Sequence, residues 1–188
     1  MRLKSLVSVT LMAVPFIVLG ANASAEEFFG KFSGFEEVGP LPGPNAAETG
    51  AIFSPGTATV SLDLNRNART ITFKLTYSGL SAPVTQAHIH FGKRHVPGGV
   101  MVFFCTNIIP PNGPPGTQAC PASGGTVTGM FTGASVVGPK GQNINPGDFD
   151  ALVAALDSDT AYGNIHTTNF PAGEIRAQIR HDEDDDGR

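Results

Sequence analysis

Two neighbouring stretches of the chain alternate strictly between apolar and polar side chains. The first covers residues 57–64 and the second covers residues 70–77. The apolar members are Ala58, Val60, Leu62 and Leu64, followed by Ile71, Phe73, Leu75 and Tyr77. Because successive side chains of a β-strand point to opposite faces, this period of two predicts two half-buried strands. The short turn at residues 65–68 joins them, so we expect an antiparallel hairpin with one buried and one solvated face.

The remaining pattern predicts a mostly β domain with one short helix. Asn145 is expected to cap the helix, Pro146 occupies its first position, and the apolar spacing carries it to about Ser158. About eight strands with regular turn signals predict an all-β, antiparallel sandwich or barrel of Greek-key type. The strands outside the hairpin are expected within residues 26–38 and at 84–91, 100–104, 126–137, 162–168 and 174–180.

The first 25 residues have the order of a secretory signal peptide. Arg2 and Lys4 precede an uncharged apolar stretch at 6–19, which ends near the small residues Ala23 and Ala25. A membrane anchor is the alternative, but the stretch is short for a bilayer and contains a proline. We therefore expect cleavage near Ala25 and a periplasmic or secreted mature chain. Its domain, residues 26–180, is expected to be single.

Charge and motifs exclude several classes of function. The net charge is −4 over 188 residues and no basic segment occurs, so nucleic-acid binding is not expected. Residues 181–188 are rich in Asp and Glu and predict a solvated acidic tail, with weak cation binding as the alternative. No second segment is long and apolar enough for a membrane span, and no nucleophile elbow, phosphate loop or dinucleotide fingerprint is present.

Cys105 and Cys120 are the two cysteines of the chain. An even count in an exported protein favours a disulfide, while free thiols or a thiol pair that binds metal remain alternatives. The segment between them is rich in proline and glycine and cannot form regular structure. A disulfide that closes this loop is expected to stabilise the fold by roughly 3 kcal/mol.

Three of the five histidines lie in two short β-prone segments, 87–90 and 164–168. On a strand, His88 and His90 point to the same face with their Cα atoms roughly 7 Å apart, so their imidazoles can share one ion. Because Ile89 and Ile165 are assigned to the core, both histidines and His166 are expected on the outward face. Three neutral imidazoles suit copper or zinc. Alternatively, outward histidines only donate hydrogen bonds to loop carbonyls.

Glu174 and Arg176 are expected on the outward face of the last predicted strand. If that strand lies beside the histidine strands, both side chains can support the metal site. The simpler alternatives are a cross-strand ion pair or a contact with the turn at residues 167–168. His95, in a turn, is expected to be exposed, and His181, which belongs to the tail, is expected to have no role.

Several of these segments together resemble the CHRD domain, a module named after chordin and widespread in bacterial exported proteins. The most specific piece runs from Tyr162 to Ile179, and the resemblance extends roughly from Glu26 to Arg180. The other matching pieces are residues 33–38, 56–64, 71–80 and 87–90. Gly163 departs from the family pattern, which has an apolar β-former there. The resemblance implies an extracellular binding module, although the bacterial role of the family is mostly unassigned.

The His-x-His segment is also similar to the copper segment of copper/zinc superoxide dismutases, which are Greek-key β proteins with a disulfide. This similarity covers His88, His90 and His166, and the zinc-loop ligands have no counterpart. One hypothesis is therefore a non-enzymatic binding or structural module with an unknown protein or surface partner. The second is a copper- or zinc-binding protein, with a copper-dependent dismutase-like activity as its enzymatic form. A third is a surface or matrix component whose acidic tail contacts cations.

Overall fold

A computed structural model describes residues 25–43, 48–109 and 112–182. The predicted signal peptide, except for Ala25, and residues 183–188 of the acidic tail lie outside this range. The described residues form nine β-strands and one α-helix. In chain order these are β1 (Glu26–Phe32), β2 (Thr57–Asn65), β3 (Thr70–Ser78), β4 (Val84–Phe91), β5 (Gly99–Thr106), β6 (Gly125–Phe131), α1 (Phe149–Asp157), β7 (Ala161–Thr167), β8 (Ile175–Gln178) and β9 (Arg180–His181).

The strands form two antiparallel sheets. One has the order β6-β3-β2-β1-β9 and the other has the order β5-β4-β7-β8. Neither sheet closes on itself, so of the two predicted architectures the sandwich is confirmed and the barrel is not. Strands β4 and β7 are neighbours although far apart in sequence, and they pair antiparallel along their length. This pairing brings the two histidine segments together.

The predicted hairpin is confirmed as β2 and β3, which pair in register from Thr57–Ser78 to Asn65–Thr70. All eight apolar members of its alternating pattern are buried. They pack against the inner face of the second sheet, where Ile89, Met101 and Ile165 are fully buried. The burial of apolar surface between the two sheets is the main contribution to the stability of a β-sandwich.

One predicted strand ends earlier than expected, and another divides into two strands. The strand expected at residues 126–137 ends at Phe131, and a 3-10 turn, Gly133–Ser135, follows it. The strand expected at residues 174–180 divides into β8 in one sheet and β9 in the other. Ile179 lies between them and donates its amide to Ala161. The chain crosses from one sheet to the other at this point. The structure therefore has nine strands within the described residues, whereas eight were expected.

The helix begins later than predicted, so the assignment of Asn145 as N-cap is wrong. Asp148 is the N-cap, and its carboxylate accepts a hydrogen bond of 3.1 Å from the amide of Ala151. Asn145 instead accepts the amide of Asp148 within a turn, so Pro146 precedes the helix. The end near Ser158 is confirmed. No helix within the described residues has the length and apolar character of a membrane span.

Cys105 and Cys120 form the predicted disulfide. Both are buried, and Cys105 lies on β5 beside the histidine strand β4. Asn107 supports the bridge because its side chain donates to the Cys120 carbonyl and accepts the Cys120 amide. The disulfide therefore fixes the loop that leaves β5 next to the polar face of the second sheet.

Gly163 shows why a family-typical apolar residue is absent at this position. A Cβ atom added there would overlap the buried ring of Phe32. We expect Gly163→Val to lower the free energy of unfolding by about 2–3 kcal/mol, because the ring must leave its position. Urea denaturation measures this change.

The companion substitution Phe32→Leu shortens the side chain that collides with the new valine. In a double-mutant cycle the two substitutions should therefore couple favourably by about 1 kcal/mol or more. Gly141→Val serves as the control, because a Cβ atom there meets nothing within 4 Å. Strictly additive effects of the first two substitutions would contradict the packing described here.

Candidate metal centre

The three histidines predicted as ligands lie on two paired strands. His88 and His90 are on β4, His166 is on β7, and the register pairs Gln86 with His166 and His88 with Asn164. Their neighbours Ile89 and Ile165 point into the core, as predicted. One nitrogen atom from each imidazole lies within 4.8 Å of the others. The sheet thus brings together the residues that the sequence analysis grouped.

The face that carries the imidazoles is covered, contrary to the expectation of an outward, solvated surface. Exposed fractions are 3% for His88, 9% for His90 and 6% for His166. The physical reason is that loops fold back over the polar face. The ring of Phe103 packs edge-to-face against the ring of His88, with 4.7 Å between the ring centroids. Gly98 and Pro171 approach from loops on two sides and accept hydrogen bonds from His90 and His166.

These two carbonyl contacts determine where the ring protons lie. His90 Nδ1 is 2.9 Å from the Gly98 oxygen, and His166 Nδ1 is 2.9 Å from the Pro171 oxygen. A carbonyl only accepts, so each Nδ1 carries the proton and each Nε2 presents a lone pair. Such a hydrogen bond is also how proteins orient histidines that bind metals.

Two of the three imidazoles have a buried ring nitrogen that lacks a partner within the described residues. Among the residues the structure describes, Nε2 of His88 and Nε2 of His166 are buried without a hydrogen-bond partner. Each unpaired buried polar atom destabilises a protein by about 1–3 kcal/mol. The third histidine, His90, has its Nε2 3.1 Å from Nδ1 of His88.

The separation of 3.1 Å between His88 Nδ1 and His90 Nε2 is compatible with two arrangements. Without an ion, His88 Nδ1 donates its proton to His90 Nε2. With an ion, both nitrogens can ligate it, because metal–nitrogen bonds of 2.0–2.1 Å at tetrahedral angles place ligand nitrogens about 3.3 Å apart. The donor set of three imidazoles therefore fits copper or zinc in chemistry, and the His88–His90 pair also fits in spacing.

Burial keeps the imidazoles neutral. The pKa of His90 is lowered from 6.5 to about 4, chiefly by desolvation and also by positive charge on His166 and Arg176, while the Gly98 hydrogen bond opposes the shift. Desolvation also lowers the pKa of His88 well below 6.5 and lowers that of His166. At neutral pH the rings are therefore uncharged, and a neutral imidazole is the form that binds metal.

Arg176 lies beside the histidines, where the sequence analysis placed it, but it is buried rather than solvated. Its exposed fraction is 2%, and its guanidinium carbon lies 3.4 Å from the centroid of Tyr162. The Tyr162 ring stacks in turn on His90 at 4.7 Å between centroids. Arg176 also donates hydrogen bonds of 2.9 and 3.0 Å to the carbonyls of Lys93 and Val96. It thus anchors the loop whose Gly98 carbonyl fixes the His90 ring.

Glu174 does not pair with Arg176 in the described part of the chain, so the predicted ion pair is absent there. Its carboxylate instead accepts hydrogen bonds from the hydroxyls of Ser54, Ser81 and Thr167, at 2.6, 2.8 and 2.7 Å. The Ser81 amide donates a fourth bond of 2.8 Å. The predicted contact with the turn after β7 is confirmed through Thr167.

One buried carboxylate, that of Glu37, was not among the predicted site residues. Glu37 is 5% exposed, and it accepts hydrogen bonds from the Asn164 side chain and from the amides of Val38 and Gly39. Its only signal was its place in the matching segment 33–38. His95 is exposed and contacts Glu36, as expected of a residue outside the site.

The geometry is complemented by comparison with known proteins. The CHRD domain family matches residues 30–179, which is most of the chain. This chain belongs to the CHRD domain family. The match includes the end of β1, all of β2 to β8 and both histidine segments. No curated protein and no solved structure matches the chain at a significant level.

Membership in the CHRD family agrees with the sandwich and with the segments that carry the resemblance. The family assignment does not itself name ligands. The three imidazoles and the buried residues around them are therefore described from this CHRD domain alone.

Proposed function

We propose that this CHRD domain is an exported, non-enzymatic module that binds one copper or zinc ion through His88, His90 and His166. The observation that carries the proposal is the convergence of three buried, neutral imidazoles in which two Nε2 atoms have no partner among the described residues. A bound ion would give the buried Nε2 lone pair of His166 a partner and would remove its desolvation penalty.

Burial favours a structural or carrier role over turnover of a substrate. Each imidazole is less than a tenth exposed, so a reacting molecule has little access to the ion. The loops that cover the rings are fixed by hydrogen bonds to Gly98 and Pro171. An ion held here would lie beneath covering loops, whereas a catalytic ion keeps a position open to water or substrate.

Export is supported by two features that are independent of the metal. The N-terminal 25 residues have the order of a signal peptide. The disulfide between Cys105 and Cys120 is typical of oxidising compartments. An extracytoplasmic module with a histidine site would meet copper and zinc ions directly from its surroundings.

Elemental analysis of the full chain, expressed with its own leader in a bacterial periplasm, tests the binding site. We expect about one copper or zinc ion per wild-type chain and a loss of most of it in a His88→Ala, His90→Ala double variant. A His95→Ala, His181→Ala double variant is the matched control, because it removes two histidines outside the triad. Equal metal content in all three proteins would contradict the proposal.

A further inference from the structure

The donor set limits the coordination number that the CHRD domain can offer an ion. Among the described residues, only His88, His90 and His166 belong to the group of potential ligands, and no Asp, Glu or Cys joins them. The nearby carboxylates are otherwise engaged: Glu37 with Asn164 and two amides, and Glu174 with hydroxyls. Zinc prefers four ligands, and Cu(II) prefers four or more in a tetragonal arrangement.

Water is poorly placed to supply the missing ligand. The ring of Phe103 lies against His88, the ring of Tyr162 covers His90, and no imidazole is more than 9% exposed. Bringing water into such a site requires the cover to move. A Cu(I) ion is stable with three nitrogen ligands, so it requires no such movement.

The charge of the bound ion also favours Cu(I) over a divalent ion. All three ligands are neutral, so the site keeps the full charge of its ion, and the penalty for burying charge grows with its square. A divalent ion is therefore penalised about four times as strongly as a monovalent one. The buried cation Arg176 adds to this, because its guanidinium carbon lies within 8.1 Å of the His90 centroid, the sum of the 3.4 and 4.7 Å distances through Tyr162.

We propose that the triad of His88, His90 and His166 selects Cu(I) over Zn(II) and Cu(II). The inference rests on the proposed function and specifies its ion. Selectivity comes from three neutral ligands, a cover that excludes a fourth ligand, and a buried positive charge beside the site.

A competition titration of the full, disulfide-intact chain tests the selectivity. Cu(I) is supplied anaerobically from its bicinchoninate complex with ascorbate, which keeps copper reduced without opening the disulfide. Zn(II) and Cu(II) are supplied from nitrilotriacetate without reductant. We expect one Cu(I) per chain, with a dissociation constant at least about tenfold below those of both divalent ions.

Phe103→Ala tests the basis of the selectivity, because it opens the cover beside His88 to water. The preference for Cu(I) should then fall by about threefold or more, since a water can complete the coordination of a divalent ion. Phe53→Ala removes a ring that is 91% exposed and serves as the matched control. An unchanged preference in Phe103→Ala would overturn the exclusion of a fourth ligand and the inference with it.

The remaining outcomes separate this inference from the proposed function. Zn(II) or Cu(II) that binds as tightly as Cu(I), and is lost in the His88→Ala, His90→Ala variant, would overturn the selectivity but leave the metal site. Failure of the wild-type chain to bind any of the three ions would overturn both.

Discussion

The metal-free protein is expected to lose several kcal/mol of stability as the pH falls from 7 to 4. The pKa of His90 is 6.5 in the unfolded chain and about 4 in the folded protein. Between these values the unfolded state binds the proton and the folded state does not, so acid favours unfolding. The contribution of His90 is complete above pH 6.5 and is lost as the pH falls to about 4, and it amounts to about 3 kcal/mol.

His88 and His166 add to this loss because burial lowers their pKa values as well. The measurement is urea unfolding with a chelator present, at pH values from 7.5 to about 4. His90→Gln should flatten the profile, whereas His95→Gln removes an exposed imidazole and should not. A wild-type stability that is constant between pH 7 and pH 4.5 would show that the three rings are solvated in solution.

Arg176→Met is expected to lower the free energy of unfolding by about 3–5 kcal/mol. Two charge-assisted hydrogen bonds to the carbonyls of Lys93 and Val96 are lost, and each is worth about 1.5–3 kcal/mol. Methionine retains much of the side-chain volume, so the effect isolates the guanidinium. The contact with the Tyr162 face is lost at the same time.

Arg94→Met provides a matched control for this change. Arg94 belongs to the same loop region, but its side chain is 53% exposed and its partner is Glu36. An exposed ion pair of this kind contributes less than about 1 kcal/mol. Urea denaturation compares the two variants, and amide exchange at Gly98 reports the loop directly. Similar losses in both variants would contradict the role of Arg176 as a buried anchor.

The sequence placed most of the strands because these depend on local signals, and it favoured the pairing of the cysteines because the chain has two of them. The hairpin of β2 and β3 and the limits of β4 follow from side-chain alternation and turn residues. The helix start was wrong because Asn145 and Asp148 are both good caps, and only the tertiary position of the preceding turn selects between them. Likewise, nothing local in residues 174–180 indicates that the chain changes sheets at Ile179.

The candidate site was likewise predictable from the sequence only in part. Period-two alternation alone determined that His88 and His90 share a face opposite to Ile89, and the repeated pattern around Ile165 placed His166 on the equivalent face. The tertiary structure alone decided that β4 and β7 are neighbours and that loops bury this face. The alternation of apolar and polar residues determines the face of a strand on which a side chain lies. The loops that bury the histidine face come from segments distant in sequence. Their contacts with Arg176, Gly98 and Pro171 exist only after the sheets have formed.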